Sequence, residues 1–326
     1  MQGLTVIAPG ILSLLQDAGR FGQQQIGLTT GGPLDSFAFT VANRLCHNND
    51  NACAIEISIG GLTLESSVDS VIALTGAKLG LKINGQNKTQ WQSHAIKAGD
   101  KINIGFASEK NSGCRAYLAV AGGFDIAKQF GSQATVSREG IGGLQGGPLQ
   151  KTDLLPCSNH RDLELLRFSE EQQSNFNSNC NSNFNSNYPD LVELRVILGY
   201  QQDHFSPVKQ AIFFSSEYTV SDLCDRMGYR LEGPKVNADI EGILSEGICL
   251  GAIQVPADGQ PIVLMNDRQT IGGYPKIGAV FGPDLAKLAQ LSAGGRIKFT
   301  AMDINDAHQE LLLTKRQLDQ LVLEAL

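Results

Sequence analysis

Short apolar runs recur along the chain, each closed by turn residues. Val71-Ile72-Ala73-Leu74 precedes Thr75-Gly76, and Ala116-Tyr117-Leu118-Ala119-Val120 precedes Gly122-Gly123. Later, Leu194-Arg195-Val196-Ile197-Leu198 precedes Gly199, and Pro261-Ile262-Val263-Leu264-Met265 precedes Asn266-Asp267. Runs of four to six between Gly, Asn and Asp predict strands rather than helices. Asn84-Gly85 between alternating segments predicts a tight hairpin whose two central residues both take positive φ. Helical periodicity is sparse. It predicts a helix over Phe37 to Leu45, with Ala38, Val41, Ala42 and Leu45 on one face and Asp35 or Ser36 as cap. A second short stripe, Leu285, Leu288 and Ala289, follows Asp284 and stops before Gly294-Gly295. A last helix is predicted from about Asp303 to the end, with Ala307, Leu311, Leu318 and Val322 on one side. The fold class is mainly β: two barrel-like domains with few short helices and a C-terminal helix.

From Ser174 to Tyr188 the pattern breaks into SNFNSNCNSNFNSNY, in which Asn-Phe-Asn-Ser-Asn occurs twice. Such a segment buries too little apolar surface to offset its ordering entropy, so it reads as a linker or loop expansion. It divides the chain into a first domain over 1–157, a connecting stretch over 158–190 and a second domain over 191–326. Glycine sharpens the turn-rich picture, with 36 among 326 residues against an average near 7%. The net charge of −7 offers no basic surface for a phosphate backbone, which argues against nucleic acid as a partner. Seven scattered cysteines without a C-x-x-C pair fit reduced thiols in a cytoplasmic protein. Neither a signal peptide nor an apolar stretch of membrane-spanning length is evident.

The self-sufficient catalytic motifs are missing. No Gly-Lys dipeptide occurs, so there is no P-loop. Gly140-Ile141-Gly142-Gly143-Leu144-Gln145-Gly146 carries Gln145 where a dinucleotide loop needs glycine. The five histidines form neither H-E-x-x-H nor a cluster with cysteine, so no metal site is expected. G-x-S-x-G is absent too.

Three stretches remain dense in glycine and polar groups. In Gln16-Asp17-Ala18-Gly19-Arg20-Phe21-Gly22, Arg20 either pairs with Asp17 across a turn or is presented by the glycines to an anionic ligand. In Asp222 to Arg230, Arg226 and Arg230 lie four apart with Asp225 beside the first. They form either an anion-binding pair of guanidinium forks or a buried Asp–Arg strut. The third stretch is Asn266-Asp267-Arg268-Gln269-Thr270-Ile271-Gly272-Gly273-Tyr274-Pro275-Lys276. Here an apolar run empties into a polar loop, where a scaffold presents chemistry. Asp267 is a candidate base, Lys276 an anion-stabilising charge and Tyr274 a hydroxyl. Gly272 and Gly273 permit close backbone approach, and Gln254 on the preceding apolar segment adds an amide.

These stretches resemble the allophanate hydrolase subunit 2 family, also called the biotin-dependent carboxyltransferase family. The resemblance is carried by LLQDAGRFG (14–22), GGPLDSFAFTVANRL (31–45), AIEISIGG (54–61) and YLAVAGGFD (117–125). It continues in FGSQAT (130–135), CDRMGYRLEGP (224–234), SEGICLGAIQVPADGQPIVLMNDRQTIGGYPKIG (245–278) and DLAKLAQLSAGGRIKF (284–299). It implies two cyclophilin-like domains. The family usually has arginine where Gln133 stands in Gly131-Ser132-Gln133-Ala134-Thr135. A Gly-Arg-x-Leu pattern is replaced here by Gly146-Gly147-Pro148-Leu149. The loss of these two arginines weighs against an anion site in the first domain, where Arg20 is the remaining candidate, and the intact second-domain blocks carry the main candidate site.

Three activities follow from the resemblance. The first is that of the C-type component of an ATP-dependent 5-oxoprolinase, which opens 5-oxo-L-proline to L-glutamate. There the partners are an allophanate hydrolase subunit 1-type protein and a LamB/YcsF-type protein, and ATP enters through the complex. The second is carboxyl transfer from biotin to urea or a related amide, although no Met-Lys-Met biotinylation tripeptide occurs here. The third is a non-catalytic partner that antagonises a kinase-inhibitor-like protein.

Overall fold

The structure, a computed structural model, describes residues 2–107, 111–169, 171–172, 188–240 and 242–326. The Asn/Ser repeat lies outside the described residues except for Tyr188. The chain forms two compact units. One is built from residues up to 21, 31–172 and 322–326; the other from 22–30 and 188–321. The division thus differs from a break at 157 followed by a linker. Leu166–Arg167 pairs with Glu324–Ala325, which ties the stretch after 157 and the last strand into the first unit.

The first unit is antiparallel β. A six-stranded sheet runs in the order Leu154–Pro156, Gly3–Pro9, Leu62–Ser66, Lys101–Ile104, Leu81–Ile83 and Gln86–Lys88. A five-stranded sheet runs Leu12–Gln16, Ala54–Ser58, Arg115–Val120, Ser70–Gly76 and Ser93–Ile96. Their inner faces share one apolar core that includes Leu4, Val6, Ile55, Ile57, Leu64, Leu74 and Leu118. The hairpin at Asn84-Gly85 forms as expected, with φ of 50° and 79°. The first helix, Ser36–Leu45, is capped by Asp35, whose side chain accepts from Ala38 N at 3.0 Å. Beside it, Tyr117 donates its hydroxyl to buried Glu56 at 2.7 Å and accepts from Asp35 N at 2.8 Å. Every polar atom named in this cap has a partner, which is what burial at that depth requires.

The second unit contains a closed seven-stranded barrel. Its order is Leu191–Leu198, Lys276–Val280, Ala252–Gln254, Ile262–Leu264, Gly228–Glu232, Glu217–Cys224 and Arg296–Ala301, which returns in parallel to the first strand. Closure removes unpaired edges. Alternation fills the interior, as in buried Val192, Leu194 and Val196, or Tyr229 and Leu231. A helix not foreseen from periodicity, Pro207–Ser215, is capped by Ser206 and lays Phe213 against Phe299 with ring centroids 4.4 Å apart. The expected helix Leu285–Ala289 forms. The final helix spans Ile304–Asp319 rather than reaching the end, and Ala307 is its one buried residue among those described. Among the described residues no helix is long and apolar enough to cross a membrane.

A buried ion cluster holds that final helix. Arg195 donates Nε and Nη2 to Asp284 at 2.9 and 2.8 Å and reaches Glu310 on the helix with Nη1. Lys287 Nζ stands 2.9 Å from the same aspartate, and the guanidinium lies 4.6 Å from the Phe281 ring centroid. Burial pushes the Asp284 carboxyl up, but the Arg195 hydrogen bonds and the Lys287 charge outweigh it and leave the group below its ordinary value. Breaking a buried pair on one side costs about 3–5 kcal/mol. Asp284→Asn is expected to lower stability by about that much at neutral pH in a urea melt. A carboxyl lowered in the native state stabilises above its unfolded value and loses the effect as pH falls through the native one. The gap between wild type and variant should therefore close in strongly acidic buffer; a gap constant with pH would refute the assignment.

Candidate functional site

Two strands of the second barrel set a polar pair opposite each other: Gln254 and Lys276 are register partners. Register partners on one face bring their side chains within reach. Both residues are buried, at 1% and 8% exposure. A lysine so enclosed needs a counter-charge, and Glu246 supplies it by accepting from Lys276 Nζ. Glu246 belongs to a short ribbon in which Glu246–Gly247 pairs with Ile271–Gly272. Gln201 locks the arrangement from a third side. Its Oε1 accepts from Lys276 N at 2.8 Å, and its Nε2 donates to Glu246 Oε1 at 2.9 Å. The Lys276 hydrogen bond, followed by that of Tyr200, holds the Glu246 carboxyl below its ordinary value. The same carboxylate pushes the exposed Tyr200 phenol up.

The amide nitrogen of Gln254 is the unsatisfied atom of this group. Its oxygen accepts from Gln269 Nε2 at 3.4 Å, whereas Nε2 is buried without a hydrogen-bond partner among the described residues. An orphan donor costs about 1–3 kcal/mol. Gly272 makes room for it, since a β-carbon there would lie 2.7 Å from Gln254 Nε2 and 2.6 Å from Ile248 Cδ1. Gly273 O accepts from Ile243 N at 2.9 Å, which extends the ribbon. Tyr274 follows with its ring 47% exposed.

The other expected residues lie elsewhere. Arg226 donates Nε and Nη2 to the two carboxylate oxygens of Asp267, each at 2.9 Å, with both side chains buried. This is the strut alternative, with Asp267 in place of Asp225. Asp225 instead accepts from Met227 N and Gly228 N at 2.7 and 3.1 Å, which closes its own turn. Arg226 and Asp267 are thus engaged with each other. Arg230 does not converge with Arg226. It is exposed on Gly228–Glu232, where alternation sends Tyr229 and Leu231 inward. Arg20, in the first unit, is 1% exposed and donates to Gln129 O and Ala134 O at 3.0 and 3.1 Å. Asp17 takes Gly19 N, Ser132 Oγ and Gln133 N. The arginine thus braces loops from within. The first unit also holds a polar recess of about 460 Å³ that includes Asn49, Asn51, Lys128 and Gln133 in its lining; none of the expected site residues lines it.

Sequence reasoning does not single out Glu246, Gln201 or Tyr200. Glu246 and Gln201 lie 30 and 75 positions from Lys276, and only closure of the barrel unites them. Glu246 does lie inside the SEGICLG part of a resembling block, which is the available signal.

The chain thus carries an antiparallel β unit and a closed barrel, the latter with a lysine–glutamine pair buried at a strand end. Residues 26–301 match the carboxyltransferase domain, subdomain A and B, and the chain belongs to that family. It is 36% identical over 322 residues to the C-type component of 5-oxoprolinase from Escherichia coli (strain K12), covering 98% of this chain and 97% of that protein. Urea amidolyase of Saccharomyces cerevisiae is 29% identical over 317 residues, which are 92% of this chain and 16% of that one. Among solved structures, the K. lactis urea amidolyase superposes with a TM-score of 0.86 at 26% identity. The match covers 98% of this chain and 20% of that one, so the chain is similar to a fifth of a longer protein.

The strut generates a test. Asp267→Ala should destabilise by about 3–5 kcal/mol because it strands a buried guanidinium, whereas Arg226→Met with Asp267→Leu should recover most of the loss. Equal losses for the single and double variants in denaturant melts would show that the two residues act separately.

Proposed function

We propose that the chain is the C-type component of an ATP-dependent 5-oxoprolinase, and that the Gln254–Lys276 end of the second barrel receives the lactam carbonyl. The observation that carries this reading is the orphan amide of Gln254 beside a buried ammonium. A carbonyl oxygen is the acceptor this donor lacks, and negative charge developing on that oxygen during ring opening is met by Lys276 at short range. Glu246 pairs with the lysine and Gln201 keeps the pair aligned. Tyr274 offers a phenol to the departing ring nitrogen. Asp267 has a structural part, holding Arg226 below the loop. Likeness to the 5-oxoprolinase component over nearly the whole chain supports this choice of amide.

The charges in the site do not suit a triphosphate. Lys276 is matched by Glu246 and Arg226 by Asp267, and the chain has no phosphate loop. In this reading ATP enters through the partner proteins, of the allophanate hydrolase subunit 1 and LamB/YcsF types, and no step on it is assigned to this chain. Six free cysteines among the described residues support a reducing, cytoplasmic setting. Likeness to urea amidolyase supports a second reading, carboxyl transfer from biotin to an amide. Assaying the reconstituted complex for glutamate release and, separately, for carboxybiotin consumption distinguishes the two.

In that complex, Gln254→Leu and Lys276→Met should each lower ATP-coupled glutamate release by about 10²–10³-fold. Gln254→Leu should melt no earlier than wild type, since it removes an unsatisfied donor. Full glutamate release by either variant would defeat the assignment.

A further inference from the structure

Arg268 stands next to this site with no carboxylate partner among the described residues. Its Nε donates to Ile248 O at 3.1 Å and its Nη1 to Met265 O at 3.3 Å. Those two carbonyls fix the guanidinium plane without neutralising it. The nearby acids are already engaged, Asp267 by Arg226 and Glu246 by Lys276. Among the described residues Arg268 makes no ion pair. The side chain is half-buried; that burial pulls its pKa below the ordinary arginine value, with the neighbouring Cys249 in its thiolate form acting the other way. Ile248 links it to the candidate site. Its carbonyl takes Arg268, while its Cδ1 crowds the same face of Gly272 as Gln254 Nε2. The next residue, Gln269, bonds Gln254 directly.

We propose that Arg268 is a specificity-determining residue that binds a carboxylate on the ligand, so that the site takes small amides or lactams bearing an acid group. The proposal rests on the reading above for the carbonyl end of the ligand, but the carboxylate end can be tested without it. A single uncompensated guanidinium matches one negative charge, and its remaining N–H edge suits the paired oxygens of a carboxylate. A phosphate dianion calls for more positive charge than this position supplies.

Cys249 reports on the charge. It follows Ile248 directly and is exposed, whereas the other described cysteines are buried or half-buried. Its alkylation by iodoacetate, which carries a carboxylate, is compared with that by neutral iodoacetamide, by peptide mapping of the full chain. Arg268→Gln should lower the iodoacetate-to-iodoacetamide rate ratio by about fivefold, and Arg268→Lys should restore part of it. An unchanged ratio would overturn the proposal whatever the activity of the complex. In the reconstituted complex, Arg268→Gln should reduce kcat/KM for 5-oxo-L-proline by about 10–100-fold, carried in KM. 5-Oxo-L-proline should protect Cys249 from iodoacetamide in the wild type, and 2-pyrrolidinone, the same lactam without the acid, should protect it far less. Equal protection by the two lactams, or protection by inorganic phosphate alone, would refute a carboxylate site. A wild-type complex inert toward 5-oxo-L-proline would instead defeat the proposed activity and leave the alkylation result to decide Arg268.

Discussion

A lysine enclosed at the end of a β-barrel is tolerable only if an anion meets it, and the contact between Lys276 and Glu246 is the constraint around which the second unit is arranged. It accounts for the ribbon of Glu246–Gly247 and Ile271–Gly272, which brings the carboxylate over the barrel end. It accounts also for Gln201, which satisfies a strand N–H and the carboxylate with one side chain. Once the ammonium is neutralised, the polar residue opposite it can stay partly unsatisfied, and Gln254 does. A barrel interior filled with branched and aromatic side chains therefore ends in a small polar cluster, built from groups that would be costly anywhere else in the unit.

Elements governed by local chemistry were legible in the sequence. Asp35 caps Ser36–Leu45, Asn84-Gly85 turns a hairpin, and the run before Asn266 is a buried strand. Lys276, Gln254 and Gly272, singled out by residue type, lie close together at neighbouring strand ends. What failed was inference from spacing. Arg226 and Arg230 suggest a pair only if the segment is helical; on an extended strand Arg230 faces outward. Asp225, the obvious neighbour, spends its carboxylate on its own turn, and the real partner of Arg226 lies 41 positions away. The helix Pro207–Ser215 escaped notice because its stripe is short and only Phe213 is buried.

The first unit shows the same trade between charge and backbone. Gln133 donates to Phe124 O and Ile126 O at 3.2 and 2.8 Å. Arg20 likewise ends on carbonyls. The glycine-rich loops around them serve to pack backbone on backbone: a β-carbon on Gly142 would lie 1.9 Å from Ala134 O, and φ there is +77°. Density of glycine and arginine in a sequence thus signals tight loop stacking as readily as it signals a ligand.

The two units also trade short pieces of chain. Residues 22–30 belong with the later barrel, and residues 322–326 return to the earlier sheets. A cut within the Asn/Ser stretch therefore yields two fragments that each lack a strip of their own architecture. During synthesis the early strip emerges long before the barrel it joins, and Glu324–Ala325 reaches its partner strand Leu166–Arg167 only after that barrel has been made. Each unit is therefore complete only once chain from the far side of the Asn/Ser stretch has been added to it.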